Sequence, residues 1–242
     1  MPLEVPSPAL AERAAALNAA LRGHGATAVI EKALSDPAVG RVALVSSFGA
    51  ESVALLSLVA TVDRTVPVIF LDTEMLFPET LDYQREVAAK LRLADIRVIR
   101  PDADAADPDG TLHRRDTDAC CDLRKVRPLE RALAGFDAWF TGRKRYQGGQ
   151  RAELEFFEAA DGRLKVNPLA RWDAADVQDY MTNNRLPRHP LVARGYPSIG
   201  CAPCTSPVRA GEDPRAGRWR GQDKVECGIH FENGKLVRRP AA

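Results

Sequence analysis

No stretch of this 242-residue sequence approaches the ~18 uninterrupted apolar residues that a membrane helix needs. The first 34 residues lack the basic-then-apolar layout of a secretion signal and carry Glu4, Glu12 and Glu31 instead. An excess of one charge is also missing. There are 34 basic and 33 acidic residues, a net charge of +1, which argues against bulk binding to nucleic acid or a membrane. Lysine is scarce, 7 against 27 arginines. Arginine suits bidentate anion recognition, so the position of each matters more than the number. Repeats and low-complexity blocks are absent. Cysteines are five, an odd number, so no disulfide framework is expected and the chain reads as cytoplasmic.

The apolar pattern predicts an α/β fold. Leu10, Ala14, Leu17 and Leu21 fall at helical spacing within residues 9–34. Short apolar strands are expected at 41–47, 66–71, 96–99 and 138–141, with helices at 51–60, 78–91 and 122–133 between them. Pro78 suits a helix's first turn. This alternation implies a parallel, doubly wound sheet. Residues 102–118 read as an Asp-rich loop, and Asp161-Gly162 as the turn of a hairpin. Asp173 is expected to cap a helix running to Met181. Residues 1–204 are expected to form one nucleotide-binding domain, and 205–242 a weakly apolar, mobile C-terminal tail.

Chemistry concentrates in six places. Ser46, Ser47, Gly49, Glu51 and Ser52 lie between a strand and a helix. Such a turn either simply reverses the chain or turns backbone N–H groups toward an anion at the helix N-terminus. It is not a Walker A loop, because the Gly-Lys-Ser/Thr ending is missing. Asp72 and Thr73 end the next strand, placed either to hydrogen-bond a ribose or adenine edge or to cap a helix. Cys120-Cys121 and Cys201-x-x-Cys204 supply four thiolates, the donors of zinc or iron–sulfur sites. Adjacent side chains diverge by about 100° in a helix. Separate iron corners suit such a pair better than one small zinc does, which favours a [4Fe–4S] cluster. Lys125 follows at once and would offset its negative charge. Arg145, Gln147 and Arg151 follow the strand at 138–141 and suit sulfate or phosphate. Last, Arg215 and Arg218 precede a lone Cys227 flanked by Lys224 and His230, a setting that would stabilise a thiolate nucleophile.

Together these motifs resemble the assimilatory sulfonucleotide reductases of the iron–sulfur class, which act on adenosine 5′-phosphosulfate. The resemblance spans about residues 40–231 and rests most on Cys120-Cys121, Gly200-Cys-x-x-Cys204 and Glu226-Cys-Gly-Ile-His230. Pro197-Ser198-Ile199, Leu71-Asp-Thr73 and Phe77-Pro-Glu-Thr80 match as well. Two departures stand in the family's Gly-x-Arg-Arg-x-Gln stretch, where Lys144 replaces an Arg and Gly148 a Ser. ATP-cleaving relatives usually carry a Lys near Ala50.

The resemblance implies an adenine-nucleotide α-hydrolase-like (Rossmann-like) fold and a two-step reaction. The Cys227 thiolate attacks the substrate's sulfur and AMP leaves. Thioredoxin, or a glutaredoxin-like donor, then acts in trans on the S-sulfocysteine and releases sulfite. It further implies that Cys120, Cys121, Cys201 and Cys204 bind the cluster, that Lys125 and the arginines offset substrate charge, and that His230 polarises the sulfate or tunes Cys227. Three rival readings are reduction of the 3′-phosphorylated substrate, ATP pyrophosphate cleavage, and a zinc-stabilised RNA-binding module. The cluster cysteines, Ala50 and the near-zero net charge respectively weigh against them.

Overall fold

A computed structural model describes residues 8–148, 151–222 and 224 of the chain. Its strands are β1 (Val42–Ser46), β2 (Val68–Leu71), β3 (Ile96–Ile99), β4 (Ala138–Phe140), β5 (Phe157–Ala160) and β6 (Arg163–Val166), joined in one sheet in the order β3-β2-β1-β4-β6-β5. Every pairing is parallel except the β5–β6 hairpin. The hairpin turns on Asp161 and Gly162, both at positive φ (51° and 70°), the backbone a tight two-residue turn requires and glycine adopts without cost.

Alternation along the strands divides the core in two. Val42 and Leu44 of β1, with Val68 and Phe70 of β2, face the larger core. There α1 (Pro8–Ala20), α2 (Ala26–Ser35), α3 (Ser52–Val62), α4 (Pro78–Leu91) and α8 (Ala174–Asn183) supply its helical part. Ala43, Ile69, Leu71 and Trp139 face the other way and meet Leu129 and Leu133. α3 is buried along eight consecutive residues, Val53–Ala60, so all faces of its central turns lie inside the protein. Pro78 opens α4 and Asp173 caps α8 by accepting from the Asp176 N–H at 2.8 Å, as their side-chain chemistry predicts. No described helix is long and apolar enough to cross a membrane.

The structure departs from the sequence-based expectation at three points. Residues 102–118 are not all loop: they contain α5 (Leu112–Arg115) and the start of α6 (Thr117–Cys121). Asp116 ends one and caps the other, its Oδ1 accepting from the Asp118 and Ala119 N–H groups at 3.0 and 2.9 Å. Residues 122–133 are not one α-helix. A π-helical turn, Asp122–Val126, precedes α7 (Arg127–Ala132). Pro128 has no N–H to donate to residue 124 and its ring crowds that carbonyl, so the turn before it widens. Finally, the chain does not leave the domain after Cys204. Ser206 N–H donates to Gly217 O at 2.9 Å, Trp219 N–H donates to Cys204 O at 3.0 Å, and Trp219 is 3% exposed. Burial of one indole holds this otherwise polar stretch through Gln222. Cys227 and His230 lie outside the described residues.

Candidate active site

The carboxyl ends of β1 and β4 open into a cleft of about 230 Å³, where ligands of open α/β sheets bind. Its wall begins with the loop after β1. Phe48 adopts a left-handed conformation (φ 47°) while fully buried, its ring 5.2 Å from Phe70 in an edge-to-face contact. Ser46 Oγ accepts from the Phe48 N–H at 3.2 Å, and Ser52 Oγ donates to Gly49 O at 2.8 Å. The strained Phe48 backbone is thus fixed by packing on one side and by a hydroxyl on the other. Ser46, Ser47, Gly49, Glu51 and Ser52 all line the cleft, as does Ala50.

One group of cations gathers around Glu51. Its carboxylate accepts from Lys144 Nζ at 2.8 Å and from Tyr146 Oη at 2.8 Å. Burial pushes the Lys144 ammonium below its ordinary pKa; Glu51 opposes this, and Arg151 and Arg215 push the same way as burial. Gln147 Oε1 accepts from Arg151 Nη1. Three cations confined near one carboxylate repel one another, and a polyanion would relieve that repulsion. Burial, with Glu51 next, likewise raises the Tyr146 phenol and keeps it a donor.

A second group gathers around Cys201. Burial alone would raise this thiol, but Lys125, the Thr73 hydroxyl and Arg218 together hold it below the usual value. The Thr73 Oγ1–Cys201 Sγ distance is 3.2 Å. Cys201 is fixed by an antiparallel bridge to Leu76 and by the Ala202 N–H bond to Met75 O at 2.7 Å. Thr205 Oγ1 closes the turn, donating to Cys201 O at 2.9 Å. Gly200 lets the Arg218 guanidinium lie against the backbone, and a Cβ there would force that guanidinium to move. Lys125 is 9% exposed, carried by the π turn. The turn is held by Arg124, which donates to Asp107 Oδ2 at 2.9 Å and to Thr73 O at 3.0 Å.

The four cysteines converge on this second group. Cys120, Cys121 and Cys201 are buried and Cys204 half-buried. Burial, then the neighbouring sulfurs of Cys121 and Cys201, pushes the Cys120 thiol up to about 11. Burial and Cys201 likewise raise Cys204. Among the described residues, no three His, Cys, Asp or Glu side chains close around one ion-sized point. Arg218 Nε and Trp219 Nε1 are buried donors without an acceptor among the described residues, and Trp219 is the residue hydrogen-bonded to Cys204. Four sulfurs, surrounding cations and two orphaned donors suit an anionic, sulfide-bearing group better than a bare cation.

Most sequence-predicted residues therefore meet. Thr73, Gln147, Arg151, Arg215, Arg218 and Lys125 line the cleft with the loop after β1. Arg145 does not. Its guanidinium turns away to Leu154 O (2.6 Å) and Glu155 Oε1 (2.9 Å). Lys144, which departs from the family pattern, lines the cleft instead. Asp72 is outside the lining too, with Oδ2 on Arg100 (3.1 Å) and Oδ1 on the Glu74 N–H (3.0 Å). Lys224 does not line the cleft. It is bound to Asp118 Oδ1 at 2.6 Å. Sequence reasoning missed Trp139, Ile199 and Trp219 as lining residues. A lone Trp beside Arg218 in a polar stretch was the available signal for the last.

This sheet order, with a cation-lined cleft at its carboxyl edge, is that of an adenine-nucleotide α-hydrolase-like fold. The model of the phosphoadenosine phosphosulfate reductase domain matches residues 41–207, and the chain belongs to that sulfonucleotide reductase family. It is 52% identical over 226 residues to an adenosine 5′-phosphosulfate reductase of Mesorhizobium japonicum, covering 92% of this chain and 89% of that one. It is 50% identical over 214 residues to an adenosine 5′-phosphosulfate reductase of Chelativorans sp., covering 86% and 87%. A crystal structure of phosphoadenylyl-sulfate reductase from Candida auris, a phosphate complex, superposes with a TM-score of 0.69 at 30% identity, covering 81% of this chain and 97% of that one. Yeast FAD synthetase shares the fold at 16% identity and a TM-score of 0.53.

Proposed function

We propose that this chain reduces adenosine 5′-phosphosulfate to sulfite and AMP in assimilatory sulfate reduction, through a Cys227 S-sulfocysteine and with thioredoxin as the reductant. The observation that carries the reading is one cleft lined by the loop after β1, by several cations and by Cys201, which has the other three cysteines as neighbours. Relatives of 52%, 50% and 40% identity bear the name adenosine 5′-phosphosulfate reductase, and one of 41% identity bears the name phosphoadenosine 5′-phosphosulfate reductase.

The residues around Glu51 suit the nucleotide's phosphate. Lys144, Arg151 and Arg215 supply the charge, and the loop after β1 supplies backbone N–H groups. Lys125 and Arg218 suit the sulfate end and lower the repulsion between an anionic substrate and an incoming thiolate. In the first step the Cys227 sulfur bonds to the sulfate sulfur, and the sulfur–oxygen bond to AMP breaks. The leaving phosphate keeps that electron pair. In the second, one thioredoxin thiolate attacks Cys227 Sγ and sulfite departs with the electron pair of the S–S bond. The other thioredoxin thiol then frees Cys227, leaving thioredoxin as a disulfide. His230 would polarise the sulfate or tune Cys227. Cys120, Cys121, Cys201 and Cys204 would hold a [4Fe–4S] cluster, which supplies fixed negative charge beside Lys125 rather than electrons. Free thiols and a thioredoxin donor fit a cytoplasmic setting.

The test is anaerobic incubation with substrate and no thioredoxin, followed by mass spectrometry of the C-terminal peptide. A sulfonate added at Cys227, absent in Cys227→Ser, is expected. Equal turnover by Cys227→Ser would overturn the assignment. Faster turnover of the 3′-phosphorylated nucleotide would transfer the protein to the other substrate.

A further inference from the structure

Two contacts tie the chain just before Cys227 to the helix that ends in Cys120-Cys121. Lys224 Nζ donates to Asp118 Oδ1 at 2.6 Å, with the Lys224 side chain 6% exposed. Thr117 Oγ1 donates to Gln222 Oε1 at 3.0 Å. Between them the Trp219 ring lies 5.9 Å from Lys224 Nζ and 4.4 Å from the Arg218 guanidinium carbon. The Trp219 backbone is in turn bonded to Cys204. The root of the C-terminal segment is therefore held by both cysteine pairs at once, through α6 on one side and the Cys204 carbonyl on the other.

Buried charge is not placed this way for solubility. An exposed lysine would serve that purpose, whereas burying this ammonium costs desolvation that only a fixed partner offsets. What the contact fixes is position. Cys227 lies three residues past Lys224, and three residues span at most about 11 Å. Anchoring Lys224 to Asp118, in the first turn of α6, thus limits how far along the chain Cys227 can reach from that point. Without the anchor, its range is set from the next fixed point back, and the accessible volume grows steeply.

We infer that Asp118 and Lys224 are positioning residues, an anchor that holds the nucleophile's segment within reach of the sulfate end of the cleft. The inference rests on the reading of Cys227 as nucleophile. It also makes the cysteine-bearing helix part of the nucleophile's mounting, so that disorder in α6 would slow sulfur transfer without touching the nucleotide pocket.

The experiment uses full-length protein prepared without oxygen, with two readouts: the single-turnover rate of Cys227 sulfonation, and hydrogen exchange in peptides covering 117–121 and 219–224. Lys224→Ala and Asp118→Asn are expected to slow sulfonation about tenfold or more, to speed exchange in both peptides, and to leave AMP affinity and iron content at wild-type levels. Lys224→Arg, which keeps the ion pair, should restore most of the rate. Wild-type sulfonation rates in both Lys224→Ala and Asp118→Asn would overturn the inference, as would loss of AMP affinity in step with the rate. If the wild-type protein forms no Cys227 adduct at all while Lys224→Ala still loses protection, the nucleophile assignment fails and the anchor stands.

Discussion

Lys144 Nζ sits 2.8 Å from Glu51 Oε2, a buried ion pair on the wall of a cleft that must accept an anion. The pair neutralises Glu51 before substrate arrives. Lys144→Met should therefore weaken AMP binding by about tenfold, because it leaves the Glu51 carboxylate with only the Tyr146 hydroxyl and no cation, facing a phosphate. Adding Glu51→Gln should recover most of the loss, a coupling of about 1–3 kcal/mol by calorimetric titration. No recovery in the double variant would mean that Lys144 touches the ligand itself.

Arg145 and Arg151 should separate cleanly. Arg145 is spent on the Leu154 carbonyl and Glu155, so Arg145→Ala should change AMP affinity by less than about threefold while lowering the melting temperature. Arg151→Ala, which strips a cleft-lining cation, should weaken AMP by about tenfold or more. The reverse ranking in AMP titrations would place Arg145 on the ligand.

Asp107 is fully buried against Arg124, whose own side chain is 6% exposed. Removing Asp107 leaves Arg124 buried with only the half-exposed Glu74 carboxylate at 3.3 Å to balance it. Asp107→Ala should cost about 3 kcal/mol in denaturant unfolding. Because Arg124 also holds the Thr73 carbonyl, the same variant should lose iron faster on dilution than wild type does. An unfolding free energy within experimental error of wild type would refute the buried pair's role.

His189 is expected to make the fold less stable as the pH falls. Its Nδ1 accepts from the Leu191 N–H at 3.2 Å, and its Nε2 meets Thr80 Oγ1 at 3.1 Å, so the ring fits only as the neutral Nε2–H tautomer. Burial depresses its pKa from 6.5 to about 4. The unfolded chain thus binds a proton at a pH where the folded one does not. Stability from this site is complete above pH 6.5 and falls progressively toward pH 4, by about 3 kcal/mol in all. The check is a denaturation series from pH 7 to 4 compared with His189→Gln, which should show a flatter profile. An NMR titration midpoint for this ring near 6.5 would contradict it.

The strand and helix alternation from Val42 to Phe140, the caps at Pro78 and Asp173, and the hairpin at Asp161-Gly162 were legible because each depends on local pattern. So was the position of the cysteine pairs and of the loop after β1, which the structure brings to neighbouring places. The fate of Arg145 and Lys144 was not legible. They are neighbours in sequence, and only the 3₁₀ turn Arg145–Gln147 decides which of two adjacent side chains faces the cleft. The docking of Thr205–Gln222 was hidden for a related reason: a stretch poor in apolar residues gives no periodic signal, and a single buried Trp219 outweighs it.

Residue type and β/α periodicity are properties of short windows, so the chemical groups this protein carries, and the order in which they meet the strands, are readable along the chain. The tertiary structure decided which charges are paired and which are left to act. Glu51 finds Lys144 across 93 residues, Thr73 finds Cys201 across 128, and Asp118 finds Lys224 across 106. Such partners are chosen by the closing of the sheet and the burial that follows, and burial is what turns a nearby opposite charge from a weak surface contact into a constraint on position.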